Sequence, residues 1–211
     1  MKFAIILAGT LSLSALTCPA QDPKPASEYA GLRDRVKGGD LSVDFARLRI
    51  SYIDSPEHQN AKDTDDQKTQ MIQAINAHDY KKAIHNAEIV LENDYTDMDA
   101  HFGEFIAYRE QGDAKASEFH RAVFDGLIRS ILNSGDGKSK EKAYVVASVH
   151  EEYVVLRVRK LQPGEQSLVS DQGHSYDLLE AKDPATGKTV ELYFNVDVSM
   201  NHMMKIFGDK K

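Results

Sequence analysis

The sequence has no tryptophan, and its one cysteine is Cys18. That cysteine falls in a leader in which Lys2 precedes an apolar run from Phe3 to Leu16, followed by Thr17-Cys18-Pro19-Ala20. At about fourteen residues the run is short of the roughly twenty that a membrane span needs, and its form is that of a cleaved secretory signal. Cleavage after Ala20 is expected, which places the mature chain in the periplasm or outside the cell. A mature chain without cysteine has no disulfide, no thiolate metal ligand and no cysteine nucleophile. The alternative is a lipoprotein signal with Cys18 lipidated, to which Thr17 with Leu16 before it is a poor match.

Positive charge is also scarce. Lys and Arg number 26 against 33 Asp and Glu, a net charge of −7, which argues against nucleic acid and anionic lipid as partners. No apolar run after the leader approaches spanning length, so no membrane insertion is expected once the signal is removed. The overall balance, 41% hydrophobic and 28% charged over 211 residues, is the composition of one or two compact domains rather than of a disordered chain.

Gln21 to Ala26 is proline-bearing and is expected to be a flexible leader, and the folded part is expected to divide at Ser134-Gly135-Asp136-Gly137. Before these glycines the pattern is helical; after them it is strand-like. Helices are expected from Ser27 to the Gly38-Gly39 pair and from Ser42 through Tyr52, with an exposed loop over 54–63. Thr64-Asp65-Asp66-Gln67 has the form of a capping box opening a third helix. Asp79 caps a fourth, and two more follow, from Met98 to Glu110 and from Ala114 to Leu132. Asp79 and Asp113 stand 34 residues apart at equivalent turns. This is the period of tetratricopeptide helix pairs, so residues 27–133 are loosely tetratricopeptide-like, without that family's patterned tryptophan and proline.

From Tyr144 the residues become β-branched. Tyr144–Val149 and Tyr153–Val158 read as one bent strand or two, and Ser175–Lys182 with Thr189–Asn195 as a hairpin. Val198–Phe207 reads as a short helix that docks Met200, Met203, Met204 and Phe207 on the sheet. The expected class is α+β: an antiparallel helical bundle, then a small antiparallel sheet over 134–211 packed on it, as one folding unit.

Strong chemical motifs are missing. Gly137-Lys138-Ser139 ends like a phosphate-binding loop, but Leu132 stands where the first glycine belongs and a helix precedes it. Asn133, Asp136 and Glu141 lack the ligand spacing of a calcium loop. No G-x-S-x-G elbow and no HExxH occurs. The candidates that remain are pairs. His101 lies 11 residues before Gly112 and His120 lies 8 after it, so on antiparallel helices their axial offset is about 4.5 Å. With His150 or Glu152 as a third group they form a candidate metal or acid/base site. The alternative is that His120, in a row with Ala116, Val123, Leu127 and Ile131, is a hydrogen-bonded histidine at the core edge. Glu151 and Glu152 as strand neighbours point to opposite faces. Glu151, with Tyr153 and Asp136, is expected to lock the two halves through Arg157, Lys142 or an amide of the glycine turn.

The junction and the residues after it carry a series of short motifs: Ser134-Gly135-Asp136-Gly137, Ala143-Tyr144-Val145-Val146, Glu152-Tyr153 with Leu156, Gln166-Ser167-Leu168, Tyr176-Asp177 and Leu192-Tyr193-Phe194-Asn195. Over about residues 131–195 this series resembles a family of exported bacterial proteins, domain-of-unknown-function family 4919. The resemblance implies an exported domain and brings no activity, cofactor or catalytic residue with it. Helix pairs without a catalytic constellation point to a non-enzymatic protein- or peptide-binding scaffold of the cell envelope, with no cofactor. A metal-binding or hydrolase-like protein centred on His101, His120 and the Glu151/Glu152 strand is the alternative. Intact-mass analysis of the exported protein should find a chain starting at Gln21; a lipid-modified Cys18 terminus would show the anchored alternative instead.

Overall fold

The computed structural model describes residues 27–208, so the expected signal, its expected cleavage site and the 21–26 segment lie outside the described part. Among the described residues, six helices of eight or more residues precede the glycine junction: α1 (Glu28–Lys37), α2 (Phe45–Ile53), α4 (Asp65–Asn76), α5 (Tyr80–Asn93), α6 (Met98–Gln111) and α7 (Ala114–Leu132). Most open on a side chain that accepts from a free amide of the first turn, as Ser27, Asp44, Asp79, Asp97 and Asp113 do. α4 is the exception. Thr64 makes no capping bond, and Asp63 accepts from the Asp65 amide instead, so the expected capping box does not form. The 54–63 segment is not all loop either: Ser55 and Pro56 start a single turn, α3 (Pro56–Gln59). α4 packs on α5 and α6, and α6 on α7, giving two successive antiparallel pairs.

The chain leaves α7 through a turn that only glycine allows. A side chain on Gly135 would run into the Lys142 and Ala143 carbonyls, and Gly137 has φ +73°. β1 (Tyr144–Val145) follows, and then the main departure from the sequence reading: Val149–Val158 is a helix, α8. Strand propensity lost here to packing and to the helix dipole. Glu151 and Glu152 stand in the first turn, where carboxylates are favoured, and Glu151 with Val155 and Glu152 with Leu156 repeat at four residues on the buried side.

Three strands follow: β2 (Gln162–Asp171), β3 (His174–Lys182) and β4 (Thr189–Asn195). β2 has no counterpart in the sequence reading, because most of its side chains are exposed and polar and give no alternation. Its hairpin to β3 turns on Gln172 and Gly173, both at positive φ, as a two-residue link between right-twisted strands requires. The sheet runs β1-β4-β3-β2, and it is mixed rather than wholly antiparallel. β1 lies parallel to β4 because α8, β2 and β3 together form the crossover between them. α9 (Asp197–Gly208) closes the described chain. Only Met200 of the four expected anchors packs against the core; Met203, Met204 and Phe207 are exposed.

One apolar cluster runs from Tyr29 and Leu48 through Leu127 and Ile131 to Leu179, Leu192 and Phe194, so both halves share a core. A charge sits inside it. Arg49 of α2 is 1% exposed; its Nε donates to Ser130 Oγ of α7 (2.8 Å), one terminal nitrogen is ion-paired with Glu151 of α8, and the other donates to the Val145 carbonyl of β1 (3.4 Å). Glu151 Oε2 also accepts from the Ala147 amide (2.7 Å). Replacing Arg49 with Met strands a buried carboxylate and should lower stability by about 3–5 kcal/mol in chemical denaturation. Arg49→Met/Glu151→Leu should recover most of that loss.

Candidate functional site

His101 and His120 meet across the α6–α7 pair, with Nδ1 to Nδ1 at 3.1 Å. The turn between the helices ends at Gly112 in the left-handed conformation. His101 is fully buried, and its Nε2 lies 3.0 Å from the Tyr95 carbonyl oxygen. A carbonyl only accepts, so Nε2 carries the proton and Nδ1 presents a lone pair to His120. Burial drives the His101 pKa down to about 3, with the nearby His120 adding to the effect, so the ring stays neutral.

The third group of this cluster comes from α6 itself. Glu104, 2% exposed and one turn on from His101, puts Oε2 2.6 Å from His120 Nδ1, but out of line for a hydrogen bond, so that oxygen is buried without a hydrogen-bond partner. The ligand atoms of His101, Glu104 and His120 all lie within 4.8 Å of one another. His120 opens on a cavity of about 420 Å³ walled by Lys37, Glu88, Glu92, Tyr95, Tyr108 and Phe119. The H-x-x-E spacing of residues 101–104 was the signal available in the sequence, since residues three apart share a helix face.

The groups expected to join the histidines lie elsewhere. His150 Nε2 is 3.4 Å from Asp99 Oδ2. Glu152 is fully buried and faces the sheet, where Gln166 Nε2 of β2 donates to Asp177 Oδ2 of β3 (2.8 Å) and to Glu152 Oε2 (3.3 Å). Burial first, then the Asp177 carboxylate beside it, push the Glu152 pKa up to about 9, so it holds its proton at neutral pH. Of the residues read as a lock, Glu151 pairs with Arg49, a partner not considered in the sequence. Arg157 pairs with Asp99 instead. Tyr153 is half-buried, its hydroxyl 3.5 Å from Gln166 Oε1. Asp136 closes its own turn by accepting from the Lys138 amide (2.9 Å).

A different feature marks the outer face of α4, α6 and α8. Ile72, Phe102 and Val158 are exposed by 52%, 43% and 42%. Two adjoining hollows of about 300 and 290 Å³ lie among them, sharing Asp99, Phe102 and Arg157. Met71, Ile75 and Ile106 line the first, and Phe124 and Val154 the second, so two apolar basins flank one ion pair. Scattered placement of these residues in sequence hid the patch.

The model of the family described as domain of unknown function DUF4919 matches residues 27–205. The chain belongs to this family. Its span takes in the helical half of this DUF4919 chain as well as the motif-rich part from 131 to 195. No curated protein and no solved structure matches the chain.

Glu152 yields a pH dependence with a definite sign. Its folded pKa lies above the ordinary carboxyl value of 4.5, so the folded chain keeps a proton that the unfolded chain releases, and stability falls as pH rises from that value towards about 9. Glu152→Gln, neutral at every pH, should flatten this decline: melting temperatures of the two proteins should lie close near pH 5, with the variant higher at pH 9.

Proposed function

We propose that this DUF4919 chain is a non-enzymatic, exported binding module of the cell envelope that holds a protein or peptide segment on the α4–α6–α8 face. The observation that carries the reading is the pair of apolar basins on either side of the Arg157–Asp99 ion pair, with Ile72, Phe102 and Val158 in solvent around them. Contiguous exposed apolar surface rimmed by polar groups is characteristic of interaction sites. A basin on each side of a charge pair fits a segment with two apolar anchors separated by a polar residue, in the manner of an amphipathic helix laid in a groove. Phe102 is braced by Phe105 and Phe124, with ring centroids 5.7 and 5.3 Å away, so the central aromatic is held before a partner arrives.

Export and placement in the envelope rest on the form of the leader. Helices α4 and α6 are each the first member of an antiparallel pair, and this supports a shared face for a ligand. Selection of a displayed peptide library on the purified chain should return sequences with two apolar residues at a fixed separation. Phe102→Glu should weaken the best of them by about tenfold or more, as loss of an aromatic anchor does, while Leu168→Glu on the exposed edge strand leaves binding unchanged. Equal binding by wild type and Phe102→Glu would place the ligand on another surface.

A further inference from the structure

Three atoms that attract a cation converge between α6 and α7: His101 Nδ1, Glu104 Oε2 and His120 Nδ1. The His101 Nδ1 lone pair is set by the Nε2–H bond to the Tyr95 carbonyl. Glu104 Oε2 is buried without a hydrogen-bond partner. His120 Nδ1 stands 3.1 Å from the first and 2.6 Å from the second. A single N–H on His120 cannot point along both directions at full strength, so at least one lone pair is left facing the others in a desolvated place. This is the arrangement that a metal ion relieves and a proton relieves only in part.

We propose that His101, Glu104 and His120 form a binding site for a first-row divalent cation, zinc or an ion of similar preference. The site is independent of the binding face proposed above. Two imidazoles and one carboxylate are a donor set for zinc, whereas calcium and magnesium take oxygen almost throughout. Bonds of about 2.0–2.1 Å in tetrahedral geometry place donor atoms about 3.3 Å apart. The His101–His120 separation of 3.1 Å is near that value, and the Glu104 contact at 2.6 Å needs to open by under about 1 Å, which rotation of the glutamate side chain provides. To coordinate through Nδ1, His120 presents that nitrogen's lone pair and carries its ring proton on Nε2. The Tyr95 carbonyl orients His101 from behind, as a carbonyl bonded to the far nitrogen of a ligating histidine commonly does. Three protein donors leave a coordination position to be filled, and the cavity walled by Lys37, Glu88 and Tyr108 gives solvent or a small ligand access to it.

The test is direct titration of the chelator-stripped chain with zinc against a chromophoric competitor, with cobalt as a spectroscopic reporter. One zinc per chain should bind, and cobalt should give the ligand-field absorption of a low-coordinate nitrogen and oxygen site. Glu104→Gln and His120→Asn should each lower zinc affinity by about tenfold or more, with metal-free melting temperatures near that of the wild type; His202→Asn, away from the site, should leave affinity unchanged. His120 is partly exposed, so His120→Asn stays informative if the buried Glu104 variant does not fold. Absence of stoichiometric zinc binding by the folded wild type, or wild-type affinity in the variants that fold, would overturn the assignment and leave the trio as a hydrogen-bonded cluster.

Discussion

A guanidinium buried in the core ties four elements together. Arg49 reaches α7, β1 and α8 at once, through Ser130, Val145 and Glu151. An isolated charge in an apolar interior is too costly to persist, so every group that satisfies it must be in place together. The helical half supplies the cation and the later half supplies the anion. That arrangement joins the two sequence halves across a common core more specifically than apolar contact does, because apolar contact alone tolerates sliding.

The neighbouring glutamates of α8 show how position along one helical turn assigns different chemistry. Glu151 faces Arg49 and the Ala147 amide. Glu152, about 100° further round, faces a second carboxyl and an amide that must serve both, and keeps its proton. A strand at this point would have sent one of the two into solvent. The helix instead buries both, and each then takes the protonation its surroundings allow.

Much of the helical half was legible in sequence. The cap at Asp79, the turn at Asp113, the 3.6-residue apolar period and the approach of His101 to His120 all depend on local spacing, which a chain carries with it. The resemblance in residues 131–195 rested on equally local motifs. α8 was read as strand because Val and Tyr favour extended backbone where nothing else decides, and here the buried partners of Glu151 and Glu152 decided. β2 was missed because an exposed edge strand has no apolar face to leave a period of two.

The succession of helices, the break at the glycine junction and the candidate pair of histidines are written locally along the chain, because each follows from turn chemistry or from residues a few turns apart. Which groups complete each site is settled by long-range packing. Glu104 rather than Glu152 stands with the histidines, Arg49 rather than Arg157 meets Glu151, and Ile72, Phe102 and Val158 gather into one face. These pairings join residues up to 102 positions apart, and their choice depends on which surfaces the shared core brings into contact, a property that no short window of sequence contains.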